Sequence, residues 1–271
     1  MMSTASFAVV RKANQFAILR PEFQEALLGI LGLRGEVPPA AGEVRGRAAY
    51  PVYAVDAGTR GILKHYRHGG WTGRLFGDLF FGLRRPVREF LLTERAARRG
   101  IPTVTLLAAR IQAVAALFYR GDVILREIPG ARDLGALLKH PPAPGPARNH
   151  LIRAVARTVR RMHDAGLWHA DLNLKNLLIE GGETAFTAYV IDLDRASLRK
   201  GPLGLEARAR NLLRLGRSFL KSGGDLDGSL ARRFLAAYCG RDRSLRTRIR
   251  RQLRTLPLAF HLHRLGWGKT P

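Results

Sequence analysis

The chain has a single cysteine, Cys239, in 271 residues. No disulfide can form within it and no cysteine-built metal cluster is available, which suits a reducing compartment. Acidic residues are scarce as well. Only 21 Asp and Glu stand against 46 Lys and Arg, for a formal net charge of +25. A chain of that balance attracts anions, whether nucleic acid, acidic lipid or a phosphorylated substrate. Long apolar runs are missing: the longest candidate, Ile111 to Tyr119, is closed by Arg110 and Arg120, far short of the ~20 residues that span a bilayer. Arg11 and Lys12 follow the apolar part of the N-terminus instead of preceding it, the wrong order for a secretory signal. There is no Gly/Ser linker, internal repeat or low-complexity tract. The expectation is one large domain or two lobes, soluble or peripheral and cytoplasmic, with 46% hydrophobic residues to fill a core.

What is present divides at about residue 130. Residues 1–39 show no clear pattern beyond a short helix at Glu22–Leu31 and read as an N-terminal extension. Residues 40–128 are strand-rich. Ala48–Val55 and Gly61–Lys64 flank an Asp56-Ala57-Gly58-Thr59 turn, and further strands are expected at Thr103–Ala108, Ala113–Tyr119 and Val123–Glu127. A helix from Arg85 to Arg99 interrupts them, opened by Pro86 and closed by Gly100. Ile128-Pro129-Gly130 reads as a hinge. Residues 129–271 are helix-rich. Leu151, Ile152, Val155, Val159 and Met162 recur at helical spacing within Ala147–Ala165, and more helices are expected at Glu206–Lys221, Ser229–Tyr238 and Leu245–Leu253. The fold class is α+β, with a mainly antiparallel β lobe followed by a mainly α lobe.

The densest chemistry lies in His169-Ala170-Asp171-Leu172-Asn173-Leu174-Lys175-Asn176, followed by Val190-Ile191-Asp192-Leu193-Asp194. Asn176 precedes one short strand and Asp192 follows the next. A hairpin between them folds back, so a carboxamide oxygen and a carboxylate converge at its open end beside Asp171. Oxygen donors in that number suit Mg²⁺, which keeps waters and takes phosphate oxygens. This is the arrangement of a kinase catalytic loop and its metal aspartate. Asp171 then accepts the proton of an attacking hydroxyl, and Asn176 and Asp192 hold metal. His169 braces the loop through backbone hydrogen bonds. Lys64, on a returning strand, reaches the α- and β-phosphates of ATP if a carboxylate of the next helix holds it. Glu89 and Glu94 are the candidates. They point ~140° apart on a helix and cannot share the role; Glu89 is the expected partner. The phosphate-covering loop is poor, because Gly42 and Gly46 do not form G-x-G-x-x-G; the backbone at Gly46 is its candidate.

Leu63-Lys64-His65-Tyr66-Arg67-His68-Gly69-Gly70, Arg88-Glu89-Phe90-Leu91-Leu92, Gly100-Ile101-Pro102, His169-Ala170-Asp171-Leu172-Asn173 and Ile191-Asp192-Leu193-Asp194-Arg195 together resemble the lipopolysaccharide kinases of the protein-kinase-like fold, in particular the 3-deoxy-D-manno-octulosonic acid (Kdo) kinases. The resemblance implies a bilobal fold and ATP- and Mg²⁺-dependent phosphorylation of the Kdo sugar on a lipid A precursor. It also implies peripheral work at the inner face of the inner membrane, with an anionic glycolipid and not nucleic acid as partner. Lys175 departs from the family's wording. The sequence offers no Phe-Gly after Asp192 and no A-P-E element, which separates it from regulated protein kinases. Two other readings stand beside it: a compact atypical Ser/Thr protein kinase, and an inactive kinase-like binding module.

The C-terminal stretch joins Arg241, Arg243, Arg246, Arg248, Arg250, Arg251 and Arg254 to Leu256, Leu258, Phe260, Leu262, Leu265 and Trp267. Basic residues beside an apolar, Trp-bearing segment suit the surface of an acidic leaflet, where each Lys or Arg contributes roughly 1 kcal/mol. The alternative is a helix that packs Leu245, Ile249 and Leu253 inward with its arginines merely solvated. Changing Arg243, Arg246, Arg250 and Arg254 to Gln should weaken co-sedimentation with anionic liposomes at low salt. Unchanged binding contradicts the docking role.

Overall fold

The computed structural model describes residues 7–45, 49–67, 77–81, 85–115, 117–143, 145–182, 184–225 and 228–255. Gly46, and the apolar segment Leu256–Trp267, lie outside the described residues, as do His68, Gly69 and Gly70. The chain divides into two compact units. The first comprises residues 1–98, 103–129 and 192–194, and the second 99–102, 130–191 and 195–271.

The first unit is an antiparallel sheet in the order β1-β2-β7-β8-β5-β4-β3, with β6 also paired to β8. Its strands are β1 (Ala8–Lys12), β2 (Gln15–Leu19), β3 (Gly42–Arg45), β4 (Ala49–Ala54), β5 (Arg60–His65), β6 (Phe80–Phe81), β7 (Leu106–Ala115) and β8 (Phe118–Arg126). Side chains alternate between the two faces, as a period of two requires. Ala17, Leu19 and Ile124 join Leu27, Leu28 and Ile30 of α1 (Gln24–Ile30) in one core, while Ile18 and Val123 join Phe90 of α2 (Arg85–Arg98) in the other. The register shift between Leu106 and Ala108 is a bulge, and it lets Leu107 and Ala108 both join the α1 side.

Two expectations are corrected here. Residues 8–19 form a hairpin whose second strand pairs with β7, register Leu19↔Ala108, so part of the unplaced N-terminal stretch completes the sheet. The three strands expected between Thr103 and Glu127 are two longer ones. Arg110, which closes the apolar run in the sequence, lies inside β7 and is the register partner of Asp122. The Arg110 Nη2 lies 2.6 Å from Asp122 Oδ2, and His65 Nδ1 lies 2.6 Å from Asp122 Oδ1. A buried carboxylate is tolerable because it is paired from both sides.

The second unit is mainly helical: α3 (Leu134–Leu137), α4 (Pro146–Asp164), α5 (Leu205–Lys221), α6 (Gly228–Cys239) and α7 (Arg243–Thr255). Asp133 caps α3 by accepting from Ala136 N–H at 2.8 Å. The stripe Leu151, Val155, Val159 and Met162 of α4 is buried, each side chain stabilising by roughly 1.5–3 kcal/mol. It packs on β12 (Phe186–Val190) and α6. β12 pairs with β11 (Leu177–Gly181), which pairs with β9 (Arg132–Asp133); a separate small ladder joins β10 (Leu167–Trp168) to β13 (Ser197–Leu198). The last helix buries Leu245 and Ile249 of the three residues the packing alternative names, with Leu253 part-buried, and it leaves Arg243, Arg248, Arg250, Arg251 and Arg254 exposed.

At the centre of this unit His163 has no exposed surface. Its Nδ1 meets the Tyr238 hydroxyl at 2.7 Å and its Nε2 meets Asn211 Oδ1 at 3.3 Å. Since a carboxamide oxygen only accepts, the proton sits on Nε2 and the ring is neutral. Burial first, then the nearby Arg208 charge, pull the imidazole pKa down to about 3. The unfolded chain therefore binds a proton below ~6.5 that the folded chain refuses, and stability falls with pH from about 6.5 toward 3. Thermal unfolding followed between about pH 7 and pH 5 should show a steeper loss of Tm in the wild type than in His163→Gln. Parallel curves contradict the buried neutral ring.

Candidate active site

Lys64 and the acidic group around it belong to the first unit. Lys64 stands on β5 opposite Val123, and its Nζ lies 3.0 Å from Asp192 Oδ1. Glu89, on α2, is 2% exposed. Its carboxylate accepts from the Tyr66 hydroxyl and from the Leu193 N–H. Glu94 is taken elsewhere, in an ion pair with Arg20. The helical geometry accounts for the split, since two residues five apart serve different sides of α2. Asp194 pairs with Arg85 at the start of α2, and the Arg85 guanidinium also lies 5.1 Å from the centre of the Phe80 ring.

The charges of this cluster depend on one another. Burial works against the charge of Lys64, but Glu89 first and Asp192 second outweigh it, and the ammonium is held well above its usual range. Burial raises the Glu89 carboxyl above the carboxylate range, opposed by Lys64 and reinforced by the negative Asp192 and Asp194. Asp192 itself takes a left-handed backbone, φ 64°, which non-glycine residues adopt rarely and mostly where surrounding structure compels it.

Asp171 and Asn176 belong to the second unit. The loop that carries them is fixed mainly through backbone groups. His169 Nε2 meets the Ile191 carbonyl at 3.0 Å, so it donates, and Nδ1 accepts from Asp171 N–H at 3.1 Å. His169 thus occupies the bracing position expected of it. Asn176, 4% exposed, donates from Nδ2 to the Asp171 carbonyl at 2.8 Å, and its own carbonyl accepts from Ile191 N–H at 3.0 Å. That last bond closes the open end of the β11–β12 hairpin, and Asp192 is the next residue along the chain. Leu172 and Leu174, which follow it in the chain, are buried anchors, while Asp171 itself is exposed. No hydrogen bond engages its carboxylate among the described residues.

Helix α5 adds supports that have no counterpart in the sequence reading. Asn211 Nδ2 donates to the His169 carbonyl at 2.7 Å, and its Oδ1 accepts from His169 N–H at 3.3 Å. Ser218 accepts from Leu174 N–H at 3.1 Å. Asn211 is fully buried, and a buried carboxamide inside an otherwise regular helix is the trace that could have pointed to it.

The profile of the Lipopolysaccharide kinase (Kdo/WaaP) family matches residues 40–238. The 3-deoxy-D-manno-octulosonic acid kinase of Vibrio cholerae serotype O1 is 35% identical over 167 residues, 60% of this chain and 66% of that protein. The Haemophilus influenzae (strain 86-028NP) protein of the same name is 33% identical over 175 residues, 63% of this chain and 70% of its own length. The matched stretch thus spans about two thirds of each relative. Among solved structures, WaaP in complex with acyl carrier protein superposes with a TM-score of 0.51 over 88% of this chain and 93% of that one, at 21% identity. That likeness shows the fold, which is kinase-like and α+β.

The two glutamates of α2 separate cleanly by experiment. Glu89→Gln removes the foremost of the negative charges that keep Lys64 protonated and should lower kcat/KM for ATP by about tenfold or more, the scale of one charge-assisted interaction. Glu94→Gln frees only Arg20 and should leave that ratio nearly unchanged. Equal losses contradict the pairing.

Proposed function

The chain belongs to the Lipopolysaccharide kinase (Kdo/WaaP) family, and from that premise we propose that it transfers a phosphoryl group from ATP to a sugar hydroxyl of a Kdo residue on a lipid A-type glycolipid. In this reading 40–128 and 129–271 are the two lobes of one catalytic domain. The observation that supports it is the loop His169–Asn176: backbone ties seat Asp171, and its exposed carboxylate is engaged by no hydrogen bond among the described residues. Such a carboxylate accepts the acceptor's hydroxyl proton as the phosphorus–oxygen bond forms. Lys64, kept protonated by Glu89 and Asp192, holds the α- and β-phosphates. The phosphate-covering role of Gly46 stays part of the proposal.

Asn176 and Asp192 are the residues for Mg²⁺. One carboxylate and one carboxamide fit an ion that dehydrates reluctantly and shares its shell with waters and phosphates. They do not fit a transition-metal cage, and among the described residues no group of three or more His, Cys, Asp or Glu is assembled. Bound there, Mg²⁺ would supply charge neutralisation at the phosphate oxygens.

Among the described residues no helix is long and apolar enough to cross a membrane. Peripheral contact with the cytoplasmic face of the inner membrane is the mode we propose, supported by the exposed arginines of α7 and by the lipid character of the acceptor.

Asp171→Asn preserves the loop's shape and removes the proton acceptor. Its turnover should drop by about 10²–10⁴-fold with the fold intact by circular dichroism. Near wild-type turnover, with chemistry rate-limiting, excludes Asp171 from the role.

A further inference from the structure

Helix α5 carries two arginines that neither the fold nor the proposed chemistry uses. Asn211 and Ser218 both face the Asp171 loop, since each is bonded to its backbone. Arg214 stands three positions after the first and four before the second, on the same stripe of the helix. It is thereby directed at the loop between His169 and Leu174. Two contacts agree with that placement: its guanidinium lies 6.0 Å from the centre of the Trp168 ring, and it sits within the field of Asp171. Arg217 is one further turn along and close enough to Arg214 for their charges to repel.

Neither guanidinium is satisfied. Arg214 Nη1 and Arg217 Nε are buried and have no hydrogen-bond partner among the described residues. Contrast Arg208 on the same helix, whose groups reach the Leu203 carbonyl, the Tyr238 hydroxyl and Asp164. Two like charges side by side with buried, unpaired donors are costly. An arrangement of that kind persists where a ligand completes it. Planar guanidinium forks match the two oxygens of a carboxylate or the oxygens of a phosphate.

We infer that Arg214 and Arg217 grip an oxyanion of the acceptor and so set its hydroxyl against Asp171. The inference rests on the proposed sugar-acid acceptor and deepens it: an octulosonic acid carries a carboxylate, and a lipid A-type anchor carries phosphates. Asp171 alone, a negative group, would repel either; the arginine pair offsets that repulsion at the point where the hydroxyl must approach.

The test is steady-state kinetics with Kdo–lipid A and ATP each varied. Arg214→Gln and Arg217→Gln should each raise KM for the glycolipid by about tenfold or more and leave KM for ATP within about twofold. Arg214→Lys should recover part of the loss, and it serves as the working variant if Arg214→Gln does not fold. Methyl-esterifying the sugar carboxylate should cost the wild type the same factor and the Gln variants nothing further; if dephosphorylating the lipid does so instead, the bound group is the phosphate. Either result supports the assignment and names the group. A rise in KM for ATP with the glycolipid KM unchanged overturns it in favour of a nucleotide contact, and unchanged values for both overturn it outright. Calorimetric titration of inorganic phosphate into wild type and the double variant needs no phosphotransfer. If the wild type fails to phosphorylate Kdo–lipid A, the acceptor reading falls and this arm decides: binding lost in the double variant supports an anion site, and equal binding overturns it.

Discussion

Much of the proposed site depends on one side chain, the carboxamide of Asn211. It is buried in α5 and spends both ends on a single residue of the loop, accepting from the His169 N–H and donating to the His169 carbonyl. A peptide group buried without partners is costly, so any displacement of the loop from α5 strands donors and acceptors on both sides. His169 transmits the constraint onward, to Asp171 N–H through one ring nitrogen and to the Ile191 carbonyl through the other. On the far side of Asn211, His163 and Tyr238 tie the same carboxamide oxygen to α4 and α6. Three helices and a hairpin thereby fix a loop whose one exposed acid is Asp171.

The Lys64 cluster follows a related logic with charge in place of dipoles. A single ammonium among Glu89 and Asp192 is held in its protonated form although it is part-buried, and Tyr66 and the Leu193 N–H hold Glu89 in place. Asp192 gives up ordinary backbone geometry to stand there. The Lys64 contact helps to hold Asp192 in that conformation.

How much of this was legible in the sequence follows from the separation of the partners. His169, Asp171 and Asn176 are close along the chain, and the hairpin from Asn176 to Asp192 is short, so spacing alone suggests their grouping. Helical periodicity made legible that Glu89 and Glu94 could not share one role; the preference for Glu89 rested on the resemblance at Arg88-Glu89-Phe90-Leu91-Leu92. Asn211 and Ser218 were not legible as supports of the loop, because they act on residues 42 and 44 positions away; the one local trace, a carboxamide within the helical pattern of α5, does not name its partner. The β1–β2 hairpin escaped notice for the same reason: its apolar residues make sense only against β7. Arg110 shows the opposite case: it closes an apolar run in the sequence, yet it lies inside β7 facing Asp122.

The central claim is that a sugar acid on a lipid anchor, and not a protein side chain, receives the phosphate from ATP while its hydroxyl proton passes to Asp171. Mass spectrometry of Kdo–lipid A after incubation with purified enzyme, ATP and Mg²⁺ tests it most directly. The account predicts a singly phosphorylated glycolipid with the phosphate on the sugar, absent from the Asp171→Asn reaction. An unmodified glycolipid alongside ATP turnover on a protein substrate would contradict it.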